Sequence, residues 1–400
     1  MSDATPKKRS PNQRVETDAR ILDAALQLLA SDGADGVTLP AIAKASGYTT
    51  GPVYARFGGP EDVLVALWDV FLRDELRRVL REQLTWLHSS DDMPDALRTL
   101  FEAPGVAANA LVELLAVLRR FPIAFDFITP QIEAELEALC VQYSEVPRAV
   151  LCNQIGHMLG SILIRPLLPT ALQKGLLDAN EIIRQMLHEQ VGWHAVTHER
   201  EANFASIPEV HDEEPVRRDF LQAALVTIAA TGVSGASTSR IARSAGHSFT
   251  SAYHYFQTKD QLAEQAIEQV IRQFFTLNTT TVLLADDQEY YEMVAANQRG
   301  TFSSGGRPLR QLRLECAVAA RRTSRLAQYA QSRFAESSVQ AMHYYPGRAD
   351  GTYSMAATWS AIAVHAFSFP LLAGCSLFLE DMEWAPIAAQ LRHVRSSLRA

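Results

Sequence analysis

Two clusters of side chains hold most of the chemistry in this sequence. Thr49, Thr50, Gly51, Pro52, Tyr54 and Arg56 follow Gly47, and Ser248, Phe249, Thr250, Ser251, Tyr253 and His254 follow Gly246. Hydroxyls, phenols and a guanidinium within one short segment suit hydrogen bonding to phosphate oxygens and base edges. Each cluster opens on a glycine suited to the left-handed backbone of a tight turn, then a hydroxyl residue, Thr49 or Ser248, placed to cap a helix. Catalytic constellations find less footing. His194-x-x-x-His198 would set two imidazoles on one helical face beside His188 and Glu189, but the glutamate a zinc hydrolase carries directly after its first histidine is missing. It reads as a frayed helix end, and no metal site is expected. No G-x-S-x-G elbow or phosphate-cradling glycine loop occurs, and Ser303-Ser304-Gly305-Gly306 reads as a loop between helices. The expectation is a protein that is not an enzyme and holds no cofactor.

The clusters need elements to present them. In front of each lies a short apolar helix, Thr38 to Ala45 and Ser237 to Ala245, with Ile42-Ala43 and Ile241-Ala242 facing inward. Thr38 caps the first of these, and Pro40 falls in its first turn, where a missing N–H costs little. Helix, turn and helix therefore occur twice. A preceding helix over Thr17 to Ser31 follows from Ile21, Leu22, Ala25, Leu28 and Leu29 at helical spacing. Tyr54 and Phe57 share a side of the third helix, with Phe57 expected inward and Tyr54 toward a phosphate. After Gly58-Gly59 a new helix is expected near Pro60. The copies align without a gap: Gly33 and Gly232, Gly47 and Gly246, and Phe57 and Phe256 are each 199 apart. That period is far beyond the ~20–50 residues of a solenoid unit, so the repeat is of domain size.

A chain of 400 residues accommodates two or more cores of ordinary size. Hydrophobic content of 48% with few alternating β-branched runs points to an all-α fold. No stretch reaches about 18 uncharged apolar residues, so no membrane span is expected. Lys7-Lys8-Arg9 has no apolar run behind it, so the start is no secretory signal and a cytoplasmic location is expected. Cys140, Cys152, Cys316 and Cys375 form no CxxC pair and read as reduced core thiols. The net charge of −8 looks adverse for binding nucleic acid, but its distribution matters more. Lys7, Lys8, Arg9, Arg14, Arg20, Lys44 and Arg56 gather near the first motif, and Arg217, Arg218, Arg240, Arg243 and Lys259 near the second. A locally basic face on an acidic body fits a regulator better than a non-specific coat.

The pattern Ile21-Leu22-x-Ala24-Ala25, Gly33, Thr38-x-x-x-Ile42-Ala43-x-x-Ser46-Gly47, Tyr54-x-x-Phe57 resembles the TetR/AcrR family of transcriptional regulators. The second copy, with Leu221-x-Ala223-Ala224, Gly232, Ile241-Ala242-x-x-Ala245-Gly246 and Tyr253-x-x-Phe256-x-x-Lys259-Asp260, resembles it more closely still. The likeness covers the two motif regions, and the rest of each half agrees in helical texture and length.

The resemblance implies two tandem units, each a helix-turn-helix head on a helical regulatory body, folded from one chain. The expected divisions are a disordered basic arm at 1–13, a first head at 14–62, a first body at 63–197, an acidic linker at 198–215, a second head at 216–261 and a second body at 262–400. It implies a double-stranded DNA operator as partner, contacted by Thr38, Thr49 to Pro52, Tyr54, Arg56, Ser237, Ser248 to Ser251, Tyr253, His254 and Lys259. Lys259 stands where the family places a phosphate-holding lysine, whereas the first copy has Pro60. An unknown small-molecule effector is implied inside a body, and release of a repressor by a small apolar effector is the expected mode. The two halves are expected to pair within the chain, with pairing of two chains as the other arrangement. Apolar helices at Ala149 to Leu163, Ala356 to Phe369, Asn180 to Val191 and Trp384 to Leu398 would form that interface. The alternative function is a ligand-binding or scaffold protein whose heads no longer bind DNA.

Overall fold

The computed structural model describes residues 11–89, 91–188, 206–284, 304–341 and Leu371. Regular structure among these residues is entirely helical. The first head comprises α1 (Pro11–Asp32), α2 (Leu39–Ser46) and α3 (Thr50–Tyr54). Ile21, Ala25 and Leu29, spaced by four, are wholly buried on α1 and meet Ile42 of α2 and Val53 of α3 in one core. α1 stops at Gly33, whose φ of 68° and ψ of −174° fall in a region essentially reserved for glycine. The hydroxyl of Thr38 accepts the Ala41 N–H at 3.3 Å to start α2.

The first body follows as α4 (Pro60–Leu67), one wider π turn over Trp68–Leu72, then α5 (Arg73–Leu87), α6 (Asp95–Glu102), α7 (Val106–Val117), α8 (Pro122–Gln142), α9 (Arg148–Ile164) and α10 (Thr170–His188). α9 has no polar face, and every residue from Ala149 to Ile164 is buried. The second unit repeats the plan with α11 (Pro215–Gly235), α12 (Thr238–Ala245), α13 (Phe249–Tyr255) and α14 (Lys259–Leu284), then α15 (Arg307–Arg322) and α16 (Ser324–Ala341). Gly232 breaks α11 at φ 71° and ψ 171°, as Gly33 ends α1.

The heads rest on a shared floor. α1 packs on α7, α11 packs on α15, and α7 and α15 pack on each other. Two nearly buried glutamates, Glu113 and Glu315, hold that contact together. Arg321 donates to Glu113 at 2.6 Å, to the carbonyls of Ile162 and Leu163 at 3.0 and 2.6 Å, and to Asn109 at 3.0 Å. Arg322 pairs with the same Glu113, while Arg120 pairs with Glu315 at 3.0 Å and with Asp35 of the first head. Buried charges of this kind persist because each meets a counter-charge and further hydrogen bonds. A Cβ at Gly33 would fall on the guanidinium of Arg322, and one at Gly232 on that of Arg120. The helix-ending glycines are thus also the points where an arginine of the opposite unit crosses a head.

Several expectations shift in detail. α1 already begins at Pro11, so residues 11–13 are helical rather than part of a disordered arm. The described end of the acidic linker is seated on the second unit: Val210 is buried, its N–H donates to Gln222 at 2.8 Å, and Asp212 pairs with Arg217. Arg120, Arg321 and Arg322, each at the end of its own helix run, reach carboxylates of the other unit. Of the helices expected to pair, Ala149 to Leu163 lies in α9 and Asn180 to His188 closes the longer α10. Ala356 to Phe369 and Trp384 to Leu398 lie outside the described residues, as do Lys7, Lys8, Arg9, His194, His198 and Cys375. The thiols of Cys140 and Cys152 share a hydrogen bond, a contact that their spacing did not announce.

Candidate nucleic-acid interface

The turn glycines set the geometry of both reading segments. Gly47 and Gly246 take φ of 74° and 72°, each closing one helix and turning the chain into the next. In the second head the hydroxyl of Ser248 accepts the Ser251 N–H at 3.1 Å and sits 2.7 Å from the Ser251 hydroxyl. Ser237 caps α12 in the same way, accepting from Arg240 at 3.3 Å. Thr49 occupies the matching cap position on α3 but makes no capping bond, and α3 is two residues shorter than α13, five against seven. Pro52 and Gly51 within α3 account for the weaker helix, since one lacks an N–H and the other has the largest backbone freedom.

The side chains divide cleanly into core and surface. Val53 and Ala252 are buried, as is Phe256, while Phe57 is half-buried against the core. Tyr54 is 57% exposed, Tyr253 49% and Phe249 47%. Phe249 and Tyr253 meet edge to face with ring centroids 5.1 Å apart, forming one aromatic ridge along α13. Thr38, Thr49, Thr50, Gly51, Ser237, Ser248, Thr250 and His254 are exposed, and Pro52 and Ser251 partly so. Lys44 on α2 and Arg243 on α12, equivalent positions of the repeat, add an exposed cation beside each segment. Their place in the basic clusters was visible in the sequence, but their equivalence emerges only when the two heads are laid in register.

Two of the expected contact residues are occupied within the protein. Arg56 pairs with Asp18 on α1 and donates to the Pro52 carbonyl at 2.7 Å. Lys259 donates from Nζ to the Ser234 carbonyl at 3.0 Å, fastening the end of α11 to the start of α14. The start of each following helix is secured differently. Asp62 accepts the Gly58 N–H at 2.7 Å, and Gln261 accepts the Gln257 N–H at 2.5 Å while Thr258 accepts that of Gln261 at 3.0 Å. The second arrangement is close to a capping box.

No group of three or more metal-ligating side chains occurs among the described residues, and no single helix among them is long and apolar enough to cross a membrane. The family model for bacterial regulatory proteins of the tetR family matches residues 21–67 and again residues 220–266. Those spans run from the buried face of the first helix, through both turns, into the helix after each reading segment. No curated protein matches the chain. Both helix-turn-helix heads therefore match the tetR family of bacterial regulatory proteins, a family of DNA-binding transcription regulators.

Proposed function

We propose that this protein binds its operator as a single-chain pseudo-dimer, with the two heads reading two unlike half-sites. The observation that carries this reading is the cross-unit lattice of Arg120, Arg321 and Arg322 with Asp35, Glu113 and Glu315, which ties one head's floor to the other's within one chain. Heads held on a shared floor favour entry into successive major grooves, which lie about 34–36 Å apart on one face of the duplex. The unlike half-sites follow from the side chains. The first segment presents Thr49, Thr50, Gly51 and Tyr54, the second Phe249, Thr250, Tyr253 and His254, and different groups match different base edges. A homodimer must present the same face twice, whereas a fused pair need not.

In this reading Tyr54, Tyr253, Lys44 and Arg243 hold phosphates, and the exposed hydroxyls and the α13 ridge meet the groove. Thr38 and Ser237 approach the backbone from the starts of α2 and α12. Arg56 and Lys259 set the pitch of the reading helices and add their charge to the field felt by the phosphates. Repression relieved by a small apolar effector inside a helical body completes the proposal, coupling the two ligands reciprocally through the floor. The test is the mass of the purified chain bound to its own upstream region, together with footprinting. One chain protecting two dissimilar half-sites is expected. Two chains per site, a near-perfect inverted repeat, or no binding at low salt would overturn the proposal.

A further inference from the structure

Cys140 and Cys152 stand on facing sides of a helical hairpin. α8 ends at Gln142 and α9 begins at Arg148, so the connection over residues 143–147 sets the last turns of one helix beside the first turns of the other. Two contacts cross the hairpin. Arg148 on α9 donates to Glu137 on α8 at 3.2 Å. Cys140 and Cys152, each one turn further along its own helix, share a hydrogen bond between their thiols. The connection is itself pinned: the Tyr143 ring stacks on His88 at the end of α5, with ring centroids 4.5 Å apart, and the Val146 N–H donates to the Tyr143 carbonyl at 2.9 Å. The two sulfurs therefore meet because helix packing places them together, and joining them requires no rearrangement of the backbone.

The two thiols differ in access and in acidity. Cys140 is half-buried and Cys152 wholly buried. The hydrogen bond from Cys152 holds the Cys140 thiol below its ordinary range and the charge of Arg148 adds to this, while the same bond and burial push Cys152 up. An accessible sulfur with more thiolate character beside a sheltered partner is the arrangement of an attacking and a resolving thiol. We propose that Cys140 and Cys152 form a reversible redox site, at which a hydroperoxide converts the hydrogen-bonded pair into a disulfide. The Cys140 thiolate attacks the distal peroxide oxygen. An S–O bond forms, the O–O bond breaks, and the leaving alkoxide or hydroxide takes up the proton that the Cys140 thiol has shed. The Cys152 sulfur then attacks the Cys140 sulfenic acid: the S–S bond forms, the S–O bond breaks, and hydroxide leaves as water with the Cys152 proton. Two thiols are oxidised and one peroxide is reduced. The far end of α9 offers the Ile162 and Leu163 carbonyls that accept Arg321 from the second unit, so the disulfide clamps one end of a helix whose other end helps join the units. A crosslink there restrains the unfolded chain and should raise the melting temperature.

The test treats the reduced full chain with hydrogen peroxide, then quenches, denatures, alkylates and maps it by mass spectrometry. Tryptic cleavage after Arg148 puts the two cysteines on separate peptides. A peptide pair crosslinked through Cys140 and Cys152 is expected, dithiothreitol should restore both thiols, and Cys316, wholly enclosed on α15, should stay reduced. In Cys152→Ala, dimedone should tag Cys140 as the trapped sulfenic acid; in Cys140→Ser neither tag nor crosslink should form. Mapping of the parent chain stands whether or not either variant folds. No crosslinked pair at excess peroxide, pairing of Cys140 with another cysteine instead, or equal oxidation of Cys316 would overturn the site. The melting temperature of the parent should rise on oxidation and return with dithiothreitol. A fall, or no change after complete crosslinking, would overturn the clamp on α9 and leave the redox site standing.

Discussion

In the first head Arg20 lies over the Tyr48 ring at 5.2 Å, and in the second the same two positions hold Asp219 and His247, 3.0 Å apart. Asp18 and Arg56 of the first head likewise correspond to Arg217 and Tyr255, which turn to Asp212 and Glu214 respectively. Each head therefore keeps a tether between its first helix and its reading segment, but with different chemistry, and Arg56 is part of that tether. The exposed aromatics stand outside it. Replacing Phe249 and Tyr253 together by alanine should leave the melting temperature nearly unchanged, since neither is in the core. Operator affinity should fall by ~1–3 kcal/mol, with footprint loss confined to one half-site. The glycines separate by surroundings. At Gly246 nothing lies within 4 Å of an added Cβ, whereas at Gly232 the Arg120 guanidinium occupies that space. Gly246→Ala should cost the ~1–2 kcal/mol of a left-handed alanine; Gly232→Ala should cost more and, in urea unfolding, approach the loss caused by removing Arg120. Thiol chemistry is also position-specific. The hydrogen bond with Cys152 pulls the Cys140 thiol below its usual range and pushes that of Cys152 up, and burial pushes Cys316 up. Iodoacetamide on the native chain should therefore label Cys140 before Cys152 or Cys316, as peptide mass spectrometry would show.

At the scale of elements, α7 and α15 decide how the heads sit. Burial raises the Glu315 carboxyl above the ordinary carboxylate range, Arg120 opposes that rise, and Asp35 adds to it. A carboxyl whose folded pKa is raised favours the folded state fully at pH below its unfolded value, and that contribution is lost as pH climbs through the folded value. Removing Arg120 takes away the main opposing charge and widens the gap. Arg120→Ala should therefore cost ~3–5 kcal/mol near neutral pH, because a buried carboxylate is left with one fewer partner. Stability of that variant should also fall more steeply than that of the parent between pH 5 and pH 8. Denaturant melts across that range would check both the size and the direction. The turns, the caps and the inward faces of α1, α2, α11 and α12 were legible beforehand because they depend on local backbone and spacing. The Thr49 cap expected from the sequence is not made, and the shorter α3 appears only with the backbone in place.

For the whole molecule, the fusion itself makes a prediction. If the buried arginine–glutamate lattice joins the units, a protease site inserted between residues 198 and 205 and then cut should leave two fragments that co-elute on gel filtration. Arg120→Ala with Arg322→Ala should let them separate. Intact binding of the cut protein to the operator would place the coupling in the packed floor rather than in chain connectivity, since tethering alone raises effective concentration without fixing orientation.

The amino-acid sequence by itself determined the helical class, the duplication at a fixed offset, the turn glycines and the surface character of Tyr54, Phe249 and Tyr253. These follow from periodicity and from backbone chemistry that acts within a few residues. Tertiary structure decided which charges face each other. Arg120 and Glu315 are 195 residues apart, and Arg321 and Glu113 are 208 apart. Nothing local distinguishes an arginine that ends its own helix from one that crosses to the other unit. The same holds for Arg56 and Lys259, whose partners Asp18 and Ser234 lie on other elements. Partners at such separations are chosen by how whole helices pack, and that choice is made only when the two units close on each other.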